Sequence, residues 1–524
     1  MLSLSHESMP RRRSNVLLWS FLALAVCVVA GVLWLLTVPA RLESWLQERV
    51  LLALHEHYQV EVKLENLHVT LIPAFRATAD NFILPNRAGA DLPPLITVQQ
   101  LTIGAQLFQL LRTPVHVDWV KLEGLKIQVA HKHDVTVPPA AQTKRHLHLA
   151  NFVIDRVEAD QAQLIIFRKD PLKEPMEWDL HRLKLRSAGV GQPMKFQSEL
   201  TNPTPPGVIH TSGRFGPWNF DEPGDTRVSG QYDFGHADLS VFNGISGILS
   251  SVGEYQGTLN NIDVNGTTDT PDFQLDKGGQ PVHLTTKFHA VVDGTNGNTY
   301  LEPVNAHFLD TDIHVVKGKI EGEKGKKGKT ISLEIDVPRG RLQDVLALAS
   351  KSDKPMLTGA LTLKANLLLA PGNVPVLHKM RIDGRFRVAD AKFTEAQLND
   401  TLLKLSRRAQ GHPDDLTIQE APAEFAGDFL LQDGTLDFRK LDFALPGASA
   451  RVKGTYALAS GEIDFSGEVS LEARMSQTMT GAKRVVLVPL DPLFKKHGAG
   501  TYLPVSITGT RTEPKLHLDT KKLF

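Results

Sequence analysis

The chain has 524 residues, 58 Lys+Arg balanced by 58 Asp+Glu, and 42% hydrophobic residues. That length exceeds one ordinary core, the balanced charge offers nothing to draw in nucleic acid, and the apolar fraction excludes a largely disordered chain. A single cysteine, Cys27, excludes an intramolecular disulfide, a four-cysteine zinc site and a CxxC redox pair.

Residues 1–15 form a polar tail ending near Arg11, Arg12 and Arg13, and residues 16–38 carry no charge. At about 1.5 Å per residue the uncharged run makes roughly 34 Å of helix, enough to cross a bilayer. Trp19 and Trp34 stand near its ends as interfacial anchors do, and the three arginines place the tail in the cytoplasm. Arg41 and Arg49 follow the span and reduce that asymmetry. A cleaved signal peptide is the competing reading, because Val38-Pro39-Ala40 loosely resembles a cleavage site. The run is much longer than the usual apolar region of about 7 to 15 residues in such peptides, which favours a retained anchor. The lack of cysteine beyond the span agrees with an oxidising compartment. Residues 39–58 read as a juxtamembrane amphipathic helix, with Leu42, Trp45, Leu46, Val50, Ala53 and Leu54 at helical spacing.

From Val60 onward the hydrophobic period changes from about 3.6 to 2, which predicts a β body. Its expected parts are a β region at 59–130, a linker at 131–150 containing Pro138 and Pro139, a central β region at 151–340 and a C-terminal one at 341–524. The clearest alternations are Val282 to Val292, Ile331 to Val337, Leu361 to Leu369, Met380 to Val388, Val452 to Leu458 and Ile463 to Ala473. Polar partners such as Glu334, Lys364, Arg385 and Asp464 fall between the apolar residues, the pattern of antiparallel strands with one dry face.

Glycine recurs inside the apolar parity, at 230, 257, 318, 359, 384, 427, 454 and 467. Glycine weakens a strand, so this placement predicts bulges, strong coiling or close approach to the backbone; the alternative is that it merely follows turns. Val264 to Asp276 matches Ile507 to Asp519 in Gly, Thr, Pro, Leu and Asp, which predicts one strand-turn-strand unit used twice. Helices are expected over Arg341 to Ser350 and after Thr394, where Thr394 and Gln397 can form a capping box.

Candidates for chemistry are poor. His131, His133, His146 and His148 lack the carboxylates or cysteines that would complete a metal set. Gly322 to Thr330 ends like a phosphate loop, but its glycine spacing is wrong and it joins two predicted strands. The expectation is a non-enzymatic protein with no cofactor and no metal.

In order along the chain, Leu107-Phe108-Gln109-Leu110-Leu111, Val115 to Ile127, Phe393-Thr394, Leu405 to Arg408, Leu445 to Ala448 and Pro504 to Thr510 resemble the AsmA-like proteins of diderm bacteria, the group that includes the TamB and YhdP types. The resemblance implies an inner-membrane anchor, a periplasmic bulk and a taco-like β-groove that holds acyl chains, with no catalytic residues. The expected fold is therefore mainly β: a transmembrane helix, then a long, curved, mostly antiparallel sheet of roughly 20 to 25 strands with a few short helices. The residues expected to line the groove are Leu333, Ile335, Leu363, Leu367, Phe386 and Phe465. The expected partners are a phospholipid or other acyl lipid, the inner membrane and envelope proteins. Alternation alone equally allows a membrane-anchored scaffold whose dry face is filled by its own core.

Overall fold

The computed structural model describes residues 62–518 except 71–73, 87–91, 107–114, 130–151, 168–173, 190–192, 218, 220–221, 276–278, 324–325, 327, 350–353, 373, 416, 418–420, 480–487, 495–499 and 512. The expected span at 16–38 with Arg11, Arg12, Arg13, Trp19 and Trp34, the helix at 39–58, the linker at 131–150 and the segment Leu107 to Leu111 lie outside the described residues. Among the described residues no helix is long and apolar enough to cross a membrane.

The described chain is mainly β, with 26 strands, and divides into two units. Residues Met1–Ile166 with Asp179–Lys195 form the first, and Phe167–Trp178 with Phe196–Phe524 the second.

In the first unit the strands are β1 (Lys63–Thr70), β2 (Phe75–Leu84), β3 (Ile96–Ala105), β4 (Val115–Val117), β5 (Trp119–Glu123), β6 (Lys126–Val129), β7 (Phe152–Ile166) and most of β8 (Met176–Gly189). Strands β1, β2 and β3 pair antiparallel in order, and β3 continues antiparallel to β5 and β6. Strand β7 then runs parallel to β4, β5 and β6. A parallel neighbour needs a crossover rather than a tight turn, and residues 130–151 separate β6 from β7. Val69, Phe75, Ala77 and Ala105 make one small core, and Val120, Val157 and Ala188 another.

In the second unit the strands begin with most of β9 (Met194–Pro203), then β10 (Pro206–Phe215), β11 (Arg227–Asp238), β12 (Ile245–Ser246), β13 (Ile248–Thr258) and β14 (Asn261–Leu275). They continue with β15 (Val282–Val292), β16 (Thr299–Phe308), β17 (Thr311–Gly322), β18 (Lys329–Arg341), β19 (Leu357–Leu369) and β20 (Met380–Phe393). Last come β21 (Ala423–Gln432), β22 (Thr435–Leu445), β23 (Ala448–Ala457), β24 (Glu462–Leu471), β25 (Thr501–Thr510) and β26 (Pro514–Leu518). From β13 onward every pairing of chain neighbours is antiparallel, so the order is built from successive hairpins. Their turns follow local chemistry: between β21 and β22 the two-residue loop Asp433-Gly434 has φ of 49° and 73°, the mirror-type turn that matches strand twist and favours Asp-Gly.

Four α-helices are described, beside short 3-10 turns: α1 (Leu342–Ala349), α2 (Val376–Lys379), α3 (Ala396–Ala409) and α4 (Asp491–Phe494). Helices α1 and α3 occur where the sequence predicts them, but the capping box does not form. The helix starts at Ala396, so Glu395 is the N-cap of α3 and makes no side-chain cap bond; Thr394 stands one residue outside the cap, where its Oγ1 donates to the Pro355 carbonyl at 2.6 Å. The repeated-unit expectation is also corrected. Ile507 to Leu518 turns between β25 and β26, whereas the matching Val264 to Leu275 stays within the single strand β14. There Pro271 and Asp272 are absorbed in a register shift between Thr270 and Phe273, and Asp272 Oδ1 accepts from the Ile248 amide at 2.7 Å.

The principal core of the second unit lies where α1 meets the sheet. Leu361, Val388, Ala391 and Ala423 are buried there, with Leu342 and Val345 of α1 packed against them. Asp344 fixes the helix: its buried carboxylate accepts from Thr311 Oγ1 at 2.7 Å and from the Asp310 amide at 3.0 Å.

Candidate functional site

Directly paired residues of neighbouring antiparallel strands point to the same face, so the registers define rows that cross the sheet of the second unit. One row starts at Thr211, Tyr232, Gly253, Gly266, Phe288, Val304 and Val315. It continues through Ile335, Ala365, Gly384, Phe429, Phe438, Gly454, Phe465, Ile507 and Leu516. No member is charged. A second row on the same face contains Leu301, Gly318, Leu333, Leu367, Ile382, Leu431 and Leu436. A third contains Val337, Leu363, Phe386, Gly427, Leu441, Val452, Gly467, Val505 and Leu518.

The structure brings all six residues expected from the alternation onto this face: Ile335 and Phe465 in the first row, Leu333 and Leu367 in the second, Leu363 and Phe386 in the third. All six are half-buried. Glu334, Lys364, Arg385 and Asp464 project from the opposite face and are exposed. A face packed as a core would bury such side chains to a few per cent, as Val337 and Val388 are, each at 2%.

The recurrent glycines have a specific partner. Gly384 sits opposite Phe429, and Gly427 opposite Phe386. A Cβ at Gly384 would meet Phe429 Cε1 at 3.0 Å, and one at Gly427 would meet Phe386 Cε1 at 3.0 Å. The rings thus lie over the neighbouring strand's glycines, a known way of covering a glycine in a sheet. They also meet one another: ring centroids are 6.0 Å apart for Phe386 and Phe429, 6.4 Å for Phe386 and Phe438, and 5.9 Å for Phe438 and Phe465. At Gly384, Gly427, Gly454 and Gly467 alike the first atom a Cβ would strike is a backbone carbonyl oxygen, the close approach that the sequence pattern also predicts. Phe438 is absent from the expected set; its place in the aromatic row follows from register across β22, which alternation within one strand does not reveal.

The first unit uses the same device. Trp119 lies over Gly104, its partner across β3 and β5, and the Arg76 guanidinium stands 5.9 Å from the indole ring, within cation–π reach.

The opposite face of the second unit is ionic. A cavity of about 710 Å³ there is bordered by Glu334, Asp336, Lys364, Asp383, Arg385 and Arg439 among others. Lys364 pairs with Asp336 at 3.2 Å and Arg439 with Asp383. Such walls favour water and ions over hydrocarbon, which sets this hollow apart from the uncharged face. Among the described residues no group of His, Cys, Asp and Glu is arranged to hold a metal ion; His131, His133, His146 and His148 lie outside them.

Residues 9–137 match the model of the AsmA family. Over this segment the chain is AsmA-like. The AsmA-like segment includes β1 to β6 and the turn at Gly124, whose φ of 64° suits glycine. No curated protein and no solved structure gives a significant match to the chain.

Proposed function

We propose that this is an inner-membrane-anchored protein of the cell envelope whose periplasmic second unit holds acyl chains against its uncharged face, contributing to phospholipid transport or homeostasis between the inner and outer membranes. The observation that carries the reading is the set of unbroken rows: apolar side chains cross consecutive strands without a charge, and Leu333, Ile335, Leu363, Leu367, Phe386 and Phe465 among them are only half-buried. Acyl chains laid on them would remove that surface from water, the dominant favourable term for such binding. The AsmA-like segment supports an envelope role at family level. The charged opposite face would remain in water.

A scaffold that assists envelope assembly is the second reading, and the cluster of Leu361, Val388, Ala391 and Ala423 under α1 favours it, because there the face is filled by protein. Photocrosslinking side chains in the full-length protein separate the two. Placed at Leu367 or Phe465 they should capture acyl lipid in cells; placed at Lys364 or Asp464 they should not, since one residue of offset turns the side chain to the other face. Equal capture at both sets, or none at either, would remove the lipid reading.

A further inference from the structure

The uncharged face changes its chemistry along the sheet. From β18 to β21 its three rows are hydrocarbon and glycine throughout. From β10 to β15 the same parity brings together seven hydroxyls, those of Thr211, Tyr232, Ser251, Tyr255, Thr268, Thr270 and Thr286; Thr270, 1% exposed, is closed off from any ligand, and the other six face outward or bond to those that do. No charged side chain shares these positions.

Each hydroxyl has one proton to donate, and the hydrogen bonds show where most of them go. Thr211 Oγ1 donates to the Gln231 carbonyl at 2.9 Å, so Tyr255 is the donor in its 2.7 Å bond with Thr211. Ser251 Oγ donates to the Thr267 carbonyl at 3.0 Å, so Tyr232 is the donor in its 3.0 Å bond with Ser251. Both phenolic protons are committed, and both phenolic oxygens keep acceptor capacity. Thr268 and Thr286 share one bond of 2.7 Å, which uses one of their two protons and leaves the other. Glycine lies beneath each phenol: a Cβ at Gly266 would meet Tyr232 Oη at 2.5 Å, and one at Gly230 would meet Tyr255 Oη at 2.8 Å. Burial pushes both phenols above their ordinary pKa, which keeps them neutral.

This leaves two acceptors and one donor, without charge, on a face that is otherwise hydrocarbon. A plain ester brings only acceptors. A hydroxyl or an amide N–H carried beside an acyl chain brings the missing donor, and its oxygen can take the spare threonine proton. We propose that this patch is a specificity site for acyl lipids bearing an uncharged hydroxyl or amide N–H next to the chain, in preference to lipids whose only polar groups there are esters. The proposal rests on the reading above that acyl chains occupy this face.

The test uses the full chain in detergent carrying a pyrene-labelled fatty-acid methyl ester, displaced by methyl palmitate or by methyl 3-hydroxypalmitate. The hydroxylated ester should compete better by about 5- to 20-fold, the worth of one or two hydrogen bonds. In the doubly substituted chain Tyr232→Phe, Tyr255→Phe, which keeps both rings over their glycines, that preference should fall to about 2- to 3-fold, the share left to the spare threonine proton, while the affinity for methyl palmitate holds. Thr286→Val alone should reduce the preference about 2- to 3-fold, through loss of the spare proton, and gives a second reading should the double variant fail to fold. Equal competition by the two esters in the unsubstituted chain overturns the specificity site and leaves the acyl reading standing. Failure of both esters and of the pyrene probe to bind overturns the acyl reading itself, and this proposal with it.

Discussion

Val388 and Phe386 are one pleat apart on β20, with the same parity and the same face, yet their surroundings differ. Val388 is 2% exposed, enclosed by Leu361, Ala391 and Ala423 below α1. Phe386 is half-buried and covers Gly427 while touching the rings of Phe429 and Phe438. Phe386 packs against the edge of that same cluster, so an identical alternation passes from a closed core at one end of the strand to a half-buried apolar surface in its middle, and the helix laid across the end closes the core. The distinction matters because a closed core contributes stability, whereas an uncovered surface is available to a ligand.

The largest effect should come from placing a carboxylate on each side of that boundary. Val388→Asp traps an unpaired charge and should destabilise by about 3–5 kcal/mol, whereas at Phe386→Glu water can reach the carboxylate and the loss should be about 1–2 kcal/mol. Chemical denaturation of the full chain measures both. Equal losses would erase the boundary between closed end and open middle.

The closed end depends on α1, and α1 is held by Asp344. Asp344→Ala leaves the Asp310 amide and the Thr311 hydroxyl without their acceptor, at about 2–3 kcal/mol for charge-assisted bonds. Hydrogen exchange should quicken over α1 while β22 to β24 stay protected; unchanged exchange in α1 would show that apolar packing alone secures it.

In the open middle the ring over glycine is the feature to probe. Gly427→Ala puts a Cβ 3.0 Å from Phe386 Cε1 and 2.8 Å from the Lys440 carbonyl oxygen, and overpacking of this kind costs about 1–2 kcal/mol. Adding Phe386→Leu should recover part of the loss, the carbonyl contact remaining, with a coupling of at least about 0.5 kcal/mol in a double-mutant cycle. Strict additivity would mean that the ring is not the obstacle.

The smallest effect belongs to the polar face. His289 is held above its ordinary pKa first by its hydrogen bond to Asp263, 2.8 Å from Nε2, and then by the Glu302 carbonyl, 2.6 Å from Nδ1. A raised pKa in the folded state means that the imidazolium contributes fully below the unfolded value of about 6.5 and that the contribution is lost as pH rises through the folded value. Solvent screening keeps it small. The melting difference between the native chain and His289→Asn should shrink from about pH 5 to pH 9; a constant difference would remove the linkage.

The faces were legible in the sequence because the period of a strand is two: Leu333 and Glu334, or Phe386 and Arg385, separate without knowledge of their neighbours. Registers were not. The shifts between Val388 and Ala391 on β20, or between Phe438 and Leu441 on β22, depend on the partner strand and leave no mark on local alternation. For the same reason the placement of rings over glycines, and the meeting of Thr211 with Tyr255 across 44 residues, could not be read from spacing. The capping box at Thr394 is absent because α3 starts one residue later than the motif requires, with Glu395 as its N-cap, while the Thr394 hydroxyl is tied to a carbonyl 39 residues away.

From β15 to β25 each strand pairs only with the strand before it and the strand after it in the chain. Such an arrangement is close to one-dimensional: stability is a sum of hairpins and the seams between them, as in repeat proteins. Each added hairpin lengthens every cross-strand row by two residues and leaves strand pairing elsewhere unchanged, although α1 also reaches back to the loop after β14 through the bond from the Gln280 amide to the Ala347 carbonyl. The length of the uncharged face is therefore a quantity that insertion or deletion of whole hairpins can change stepwise, and damage to one seam should open the sheet locally instead of unfolding it throughout.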